Sequence, residues 1–497
     1  MPINIIPFKC SPERLTKERL SGFNGLALFW SGPFLFVMVE VGGEKMAKQH
    51  TIHSVAKSEG TMGDWDLFAT WIGANANNGT WYIGGIIAAT GLIQGATLLI
   101  AIGCLSYVLL ALASYMGYQT GVGAMGLTRA SFGVKGSVLP SLINVVQFIG
   151  WAAVNTYIAA TSVSFILKEI MGWSGNDAAT NRLSLVVGII IMSILHLISI
   201  SLGEKSVRWI ERIGIVLVII LVTWESIIVF KMVPFKDLVA WRPAAKFRLE
   251  AGRAIDILAA FNLAWVTAAA DFSRFAKRKK AATVYSFLGA NIGLFWFAFI
   301  GLTATIATAI TLNHFDPNNA DPSTIAAKLG LGVLALLVIV ITSTTANAVN
   351  LMAAGSALTN IFPKLKLTPA LWCVTLLATV VTFIPVYVAS FLTTFETFLD
   401  SIGMFLGPEI AIFLVDYFWI RRRHYQVDAL NTIAGPYWYT KGYHLTALFS
   451  WVIGVISYLI LNQFAIVHAY TGATFIAMLI TALFYGVAVQ LQTKKVI

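Results

Sequence analysis

Long apolar segments recur along most of this 497-residue chain. Each has roughly 20 residues, the length that an α-helix needs to cross the hydrocarbon core of a bilayer. Only 11% of the residues are charged, against about 25% in soluble domains. The pattern therefore predicts an all-α polytopic membrane protein. The twelve predicted membrane helices, named spans one to twelve, cover residues 66–90, 94–116, 138–166, 183–202, 209–230, 254–270, 284–310, 332–358, 369–389, 395–420, 445–461 and 470–489.

The predicted spans divide the chain into parts. Residues 61–230 hold spans one to five, residues 231–424 hold spans six to ten, and residues 425–497 hold the last two spans. Residues 1–60 form an N-terminal extension with its own apolar run. The four residues before Met46 read Gly-Gly-Glu-Lys, which a purine-rich ribosome-binding sequence can encode. Our hypothesis is that the native chain begins at Met46.

The charge distribution predicts the orientation. The chain has 34 Lys and Arg residues against 23 Asp and Glu residues, and basic residues in short loops mark the cytoplasmic side. Most basic loops fall on one side, which places both ends of the twelve-span unit in the cytoplasm and excludes a nucleic-acid-binding role. The loop 231–253 is basic on the other side and departs from this rule. The cytoplasmic basic residues are Arg129, Lys135, Lys205, Arg208, Arg212, Arg274, Lys277, Arg278, Lys279, Lys280, Arg421, Arg422 and Arg423.

Span one contains the most unusual stretch of the sequence. Residues 73–79 read Gly-Ala-Asn-Ala-Asn-Asn-Gly, and Asn and Gly are poor helix formers. Freed backbone groups are tolerated inside a membrane only where they are buried in protein or line a watery cavity. A broken helix of this kind indicates the substrate or ion site of a secondary transporter. A polar seam between helices is the alternative, since Asn also joins membrane helices.

Spans three and six carry aromatic rings beside amides. Trp151 and Asn155 are four residues apart and so share one face of span three. Phe261, Asn262 and Trp265 are close together on span six. An aromatic plate stacks on a flat ring, and an amide offers both a donor and an acceptor to its edge. Ordinary packing and interhelical hydrogen bonding are the alternative.

Span eight has six polar side chains from Thr342 to Asn350, which is unusual for a membrane helix. Hydroxyl and carbonyl oxygens are the ligands that a hard cation such as Na⁺ needs. Serine and threonine can instead bond back to their own helix, so the hydroxyl groups alone leave both readings open.

Two acids lie within spans, Glu225 in span five and Glu409 in span ten. Intramembrane carboxylates are functional candidates, and proton coupling is the first function to consider. The alternatives are that Glu225 reaches the headgroups and that Glu409 bonds backbone groups freed by Pro408. His196 in span four is interpreted as structural.

Three motifs then resemble one known family. Residues 131–142 are very similar to the loop between the second and third spans of bacterial cytosine permeases. Residues 270–275 resemble that family's motif after span six, and Asp416-Tyr417 followed by three arginines at 421–423 matches its end of span ten. The chain is identified as a member of the nucleobase–cation symport-1 family. The resemblance implies twelve spans, a five-plus-five inverted repeat with broken helices one and six, and a substrate site midway across the membrane.

The resemblance also implies roles for single residues. Trp151 corresponds to the stacking tryptophan of the family, and Asn155, Asn350 and Asn77 fall at its substrate-binding amide positions. Asn262 stands where relatives have a second stacking aromatic, so that Phe261 or Trp265 takes this role or the ring is stacked on one side only. The implied sodium ligands are the backbone carbonyls of Gly73, Ala76 and Ile341 and the hydroxyl groups of Thr344 and Thr345.

These features predict a monomeric secondary transporter of the plasma membrane. It would import a nucleobase or related heterocycle, such as cytosine, a purine, allantoin or a hydantoin, by symport with a cation, with Na⁺ the expected ion and H⁺ the second choice, and with no other cofactor. A sodium- or proton-coupled carrier of another small solute, such as an amino acid or a vitamin precursor, is the alternative. An intramembrane enzyme is disfavoured, because the sequence shows no nucleophile–base pair or metal cluster within the spans.

Overall fold

The structure, a computed structural model, describes residues 54–172, 178–201, 204–362, 364–388 and 390–494. The apolar run in the N-terminal extension and the hypothetical start at Met46 lie outside the described residues. Helices and loops form the described part of the chain, together with two isolated β-bridges. The prediction of an all-helical chain is confirmed.

Every predicted span lies on a helix or a pair of helices. In the described part of the chain, nine helices are long and apolar enough to cross a membrane, and they hold spans two, three, four, six, seven, eight, nine, ten and twelve. Their ranges are Leu92–Thr120, Val138–Met171, Asn181–Ser201, Ala245–Ser273, Ala281–Thr311, Gly332–Thr359, Leu367–Tyr387, Phe391–Ile420 and Thr474–Gln492. The shorter helix Leu445–Leu461 holds span eleven, and the helix Glu204–Met232 holds span five.

Short helices occupy three of the connections. They lie between spans two and three, five and six, and seven and eight, and the sequence analysis treated all of them as loops. Each is too short to cross a membrane. Their ranges are Ala124–Phe132, Phe235–Ala240 and Pro322–Lys328.

Span one consists of the half-helices Asp64–Asn75 and Asn78–Ile87. Asn77 lies between them in an extended conformation and caps both. Its Oδ1 accepts a hydrogen bond from Thr80 N at 3.0 Å, and its Nδ2 donates to Ala74 O at 2.8 Å. An Asn side chain at this position satisfies backbone groups that a helix end leaves free. The break that the sequence predicted is therefore held by one side chain.

Span six is interrupted close to its C-terminal end. The helix Ala251–Val266 is followed, after Thr267 and Ala268, by the single turn Ala269–Ser273. The Thr267 hydroxyl accepts a hydrogen bond from Gln147 Nε2 at 2.9 Å and lies 2.9 Å from Asn144 Oδ1, both on span three. Phe261 and Asn262 therefore belong to a continuous helix.

Spans one and seven pack with their backbones in close contact. A Cβ atom at Gly84 would lie 1.8 Å from Ala298 O, and one at Gly301 would lie 2.0 Å from Trp81 O. Small residues allow this approach between membrane helices, where van der Waals contact replaces the hydrophobic effect as the source of association. The half-helix Asn78–Ile87 of span one is thus fixed against span seven.

Buried polar groups join the loop between spans ten and eleven to spans ten and twelve and to the helix Ala124–Phe132. The Asp416 carboxylate accepts hydrogen bonds from Tyr425 and Tyr485, each at 2.7 Å. The His444 ring stacks on Tyr439 with centroids 4.0 Å apart, and its Nδ1 lies 2.7 Å from Ser131 O. Burial, with a smaller contribution from the positive charge of Arg421, lowers the pKa of His444 from 6.5 to about 4.

Gly84→Ala is expected to destabilise the protein strongly, because the added methyl group must push apart two backbones. Overpacking a tight contact commonly costs about 1–3 kcal/mol. Gly63→Ala is the matched control, since its Cβ would meet its nearest neighbour at an ordinary 3.4 Å. The thermal unfolding midpoint in detergent is the measurement. Equal midpoints for the two variants would contradict the close packing.

Acidification should lower the stability of the protein through His444. A histidine whose pKa is lowered in the folded state contributes stability that is present above its ordinary pKa and is lost as the pH falls from about 6.5 to about 4. His444→Gln removes this titration. We expect the unfolding midpoint of the unmodified protein to fall more between pH 7 and pH 5 than that of the variant. Parallel pH profiles would show that the ring is not buried as described.

Candidate substrate and cation site

The aromatic plate predicted on span three lies against span six. Trp151 is buried, and its ring meets the Phe261 ring edge to face, with centroids 5.3 Å apart and planes at 87°. Such a pair of rings contributes about 0.5–1.5 kcal/mol beyond burial. The indole Nε1 of Trp151 has no hydrogen-bond partner among the described residues. This pair provides both a ring surface and a free donor.

A layer of aromatic rings from span ten covers one side of Trp151. Phe395 and Phe398 lie with centroids 5.8 and 5.2 Å from the Trp151 ring. In the same layer, Phe391 stacks on Tyr157 at 4.1 Å and on Tyr82 at 5.2 Å. The sequence analysis did not single out this layer, although phenylalanines at 391, 395 and 398 have the spacing of one helix face.

Two of the predicted amides meet at Gly79. A Cβ atom on Gly79 would lie 2.9 Å from Asn77 Oδ1 and 3.9 Å from Asn155 Oδ1. Asn155 Nδ2 donates to Trp151 O at 3.1 Å, while its Oδ1 is buried without a partner in the described residues. The break in span one and the amide of span three therefore face each other across a glycine, and they offer acceptors for a ligand with N–H groups.

The three candidates on span six face different neighbours. Phe261 meets Trp151, whereas Asn262 is fully buried and its Nδ2 lies 3.4 Å from Ser106 Oγ on span two. Trp265 packs edge to face on Trp71 of the half-helix Asp64–Asn75 of span one, at 6.3 Å. Of the two aromatic residues that were considered for stacking, Phe261 is the one that contacts the Trp151 ring.

Span eight contacts span one through an asparagine that the sequence analysis left without a role. Asn78 Nδ2 lies within hydrogen-bond distance of Ile339 O at 3.1 Å, Thr342 Oγ1 at 2.9 Å and Ser343 Oγ at 3.0 Å. The sequence signal for this contact was the position of Asn78 directly after Asn77, at the first turn of a half-helix. This amide fixes the half-helix Asn78–Ile87 to the polar stretch of span eight.

The predicted sodium ligands lie on both sides of this seam. The Thr344 hydroxyl donates to Val340 O at 2.9 Å and the Thr345 hydroxyl donates to Thr342 O at 2.7 Å, so both oxygens keep lone pairs for a cation. Ala76 N donates to Gly73 O at 3.1 Å, which leaves that carbonyl a second lone pair. Ile341 can contribute only its backbone carbonyl, because its hydrocarbon side chain has no atom that binds a cation.

Asn350 and Asn347 occupy different surroundings on span eight. Asn350 is 6% exposed and forms no side-chain hydrogen bond with another described residue. Asn347 Nδ2 lies 2.9 Å from both Ala152 O and Thr156 Oγ1, and 3.3 Å from His196 Nε2. Asn347 and His196 thus join spans three, four and eight, while the amide of Asn350 is available to a ligand.

The two intramembrane acids are buried. Glu225 is 4% exposed and its Oε2 accepts a hydrogen bond from Trp81 Nε1 at 2.8 Å, so the carboxylate does not reach the headgroups. Glu409 is 2% exposed and its Oε2 has no partner in the described part of the chain. It therefore does not bond backbone groups freed by Pro408.

The fold is that of a multi-pass membrane protein whose helices bury rings, amides and acids. Residues 54–488 match the family described as permease for cytosine/purines, uracil, thiamine, allantoin. Because the match covers most of the chain, the protein belongs to this family and is a permease, not an enzyme. The resemblance drawn from the three motifs is confirmed.

Characterised relatives and a solved structure agree with this assignment. The chain is 26% identical over 445 residues to the allantoin permease of Bacillus subtilis, covering 85% of this chain and 89% of the relative. It is 25% identical over 472 residues to the purine-uracil permease NCS1 of Arabidopsis thaliana, covering 88% and 77%. Its fold is similar to that of Mhp1, a nucleobase-cation-symport-1 family transporter in a closed conformation with bromovinylhydantoin bound. The TM-score is 0.69 at 18% identity, covering 89% of this chain and 95% of Mhp1.

Proposed function

We propose that this permease imports a nucleobase or related heterocycle, such as cytosine, a purine, allantoin or a hydantoin, by symport with Na⁺. It would do so as a monomer in the plasma membrane, with both ends of the twelve-span unit in the cytoplasm and with spans one to five and six to ten as inverted repeats. The observation that carries the proposal is the Trp151 ring beside Asn155 Oδ1, which has no hydrogen-bond partner among the described residues. The names of the relatives and the substrate bound to Mhp1 support the same class of ligand.

The chemistry of the site favours a flat ring with N–H groups. Trp151 supplies a plate and one indole donor, and Asn155 supplies an acceptor that has no other partner in the described residues. Asn77 Oδ1 lies on the same side of Gly79, and Asn350 adds a free amide. An amide left unpaired by the wrong ring costs about 1–3 kcal/mol. The asparagines would therefore set selectivity, while stacking supplies affinity for rings in general.

The seam between spans one and eight favours cation coupling. Backbone carbonyls of Gly73, Ala76 and Ile341 and the hydroxyl groups of Thr344 and Thr345 would hold Na⁺. Asn77, which caps the break between the half-helices, would contact the substrate from the same turn. Binding of either ligand would then order the broken segment of span one, which the other ligand also contacts. Such coupling must be reciprocal.

Alternating access requires closure at each side in turn. On the outer side the aromatic layer of span ten covers Trp151. On the inner side, the segment before span one pairs with the segment after span six, where Met62 N donates to Phe275 O at 2.9 Å and Lys277 N donates to Met62 O at 2.8 Å. An Arg278–Asp64 ion pair at 2.8 Å adds to this contact. A bundle of spans one, two, six and seven would rock against spans three, four, eight and nine to open one side.

Uptake of radiolabelled cytosine tests the function. Adenine, hypoxanthine, uracil, allantoin and a benzylated hydantoin serve as competitors, with and without a Na⁺ gradient at fixed pH. We expect Na⁺-dependent uptake that Asn350→Ala reduces roughly 5–150-fold, because one hydrogen bond to the ring is worth about 1–3 kcal/mol. Asn291→Ala is the control, since among the described residues the side chain of Asn291 donates a hydrogen bond to Phe287 O of its own helix and to no other group. Absence of uptake and of competition by every ring would contradict the proposal.

The choice of stacking partner on span six gives a second test. Phe261→Ala should weaken binding of the transported ring roughly 2–10-fold, because an aromatic contact worth about 0.5–1.5 kcal/mol is lost. Asn262→Ala should affect folding more than binding, because Asn262 faces span two. Equilibrium binding of the labelled ring to detergent-purified variants is the measurement. A larger loss of affinity in Asn262→Ala than in Phe261→Ala would reverse the assignment.

A further inference from the structure

A buried amide on span eight lies close along the chain to two of the candidate substrate amides. Asn347 is fully buried and precedes Asn350 by three residues on the same helix. Its Nδ2 lies 2.9 Å from Ala152 O and 2.9 Å from Thr156 Oγ1 on span three, where Thr156 directly follows Asn155. This contact, here called the Asn347 contact, therefore joins spans three and eight within one turn of both substrate amides.

His196 completes the Asn347 contact from span four. Its Nε2 lies 3.3 Å from Asn347 Nδ2, and its Nδ1 lies 3.4 Å from Thr156 Oγ1. An amide nitrogen only donates, so Nε2 must accept, and a neutral imidazole then has its proton on Nδ1. The Thr156 hydroxyl donates to Ala152 O at 2.7 Å and can accept from the other two side chains. The three side chains thus have complementary roles around a neutral His196.

The Asn347 contact is closed to solvent, because Asn347, Thr156 and His196 are all buried. Ala152 is also fully buried, and a small residue at this point lets two membrane helices approach closely. Asn347 Oδ1 has no hydrogen-bond partner among the described residues, so the hydrogen bonds of this side chain depend on Nδ2. Losing Nδ2 would leave buried acceptors without a donor, which is strongly disfavoured. The contact therefore restricts the spacing of spans three and eight.

The spacing of Asn155 and Asn350 decides which rings can bind both amides. Asn155 Oδ1 has no hydrogen-bond partner among the described residues, and the amide of Asn350 is available to a ligand. A ring can bond both amides only if its polar edge groups match the distance between them. Binding groups must be held to within about 0.5 Å, and this precision comes from the residues that support them. The Asn347 contact lies where such support is needed.

We propose that Asn347, Thr156 and His196 are positioning residues that fix the spacing of Asn155 and Asn350 and thereby determine which rings the permease accepts. The three residues act through the two substrate amides and do not touch the ring. A ring whose polar edges match the spacing bonds both amides, whereas a narrower or wider ring leaves one amide unpaired. A loosened contact lets the amides adjust to either ring, so the permease discriminates less between them.

The inference rests on the proposed function, and one binding experiment separates the two. Labelled cytosine, or whichever competitor ring binds most tightly, is bound to the purified full-length permease in the presence of Na⁺. Inhibition constants are then measured for adenine, hypoxanthine, uracil and allantoin. The selectivity ratio is the largest of these constants divided by the smallest. Absence of ring binding to the unmodified protein contradicts the proposed function, whereas equal binding of all rings overturns the positioning role alone.

Asn347→Leu keeps most of the side-chain volume and removes the Nδ2 donor. We expect it to lower the selectivity ratio roughly fivefold or more, because the disfavoured ring no longer leaves a substrate amide unpaired. An unchanged ratio overturns the proposal, even if the affinity for every ring falls, because a purely structural role would weaken all rings alike.

Substitutions at Thr156 give an independent readout if Asn347→Leu fails to fold. Thr156→Val keeps the branched shape but loses the hydroxyl group, and it should lower the selectivity ratio. Thr156→Ser retains the hydroxyl group and should keep the ratio of the unmodified protein. Thr375→Val is the matched control, because Thr375 is also buried and its hydroxyl group donates to Leu371 O of its own helix at 2.7 Å. Equal ratios in Thr156→Val and Thr156→Ser overturn the proposal.

The histidine is tested in the same assay with His196→Gln and His196→Phe. Glutamine offers both an acceptor and a donor, as the neutral imidazole does, whereas phenylalanine keeps a ring without either. We expect the selectivity ratio to fall in His196→Phe and to be retained in His196→Gln. A ratio that is the same in both variants overturns the role assigned to His196.

Discussion

The double cap formed by Asn77 is the interaction on which the rest of the site depends. A membrane helix can stop and start again only if the freed backbone groups find partners, since lipid offers none. Asn77 accepts a hydrogen bond from Thr80 N and donates one to Ala74 O, and so joins two half-helices across the break at Ala76 and Asn77. Every functional group assigned to span one, including the carbonyls predicted to hold Na⁺, is within one turn of this cap.

Three contacts fix the half-helix Asn78–Ile87 of span one relative to its neighbours. Gly84 and Gly301 bring it against the backbone of span seven, Asn78 fixes it to the hydroxyl groups of span eight, and Trp81 bonds Glu225 on span five. The half-helix is therefore in contact with three spans besides the substrate site. A change of charge or of ligand on any of these faces acts on the same rigid element, which is the physical requirement for coupling.

The sequence predicted the class, the spans and the break in span one, because length, apolarity and helix propensity are local properties. It also placed Trp151 and Asn155 on one face, because helical spacing is local. It did not predict that Phe261 rather than Trp265 meets Trp151, nor that Asn262 faces span two, since both depend on how span six rotates and on the break lying at Thr267. The aromatic layer of span ten and the role of Asn78 depend on contacts between distant segments, which residue spacing alone does not reveal.

The central claim is that substrate and Na⁺ bind to one ordered element and stabilise each other. The most direct test is to measure the dissociation constant of the transported ring at several Na⁺ concentrations, and that of Na⁺ at several ring concentrations, on the purified permease. The account predicts that each ligand tightens the other, and by the same factor, because binding linkage is reciprocal. Affinities that are independent of each other would contradict it.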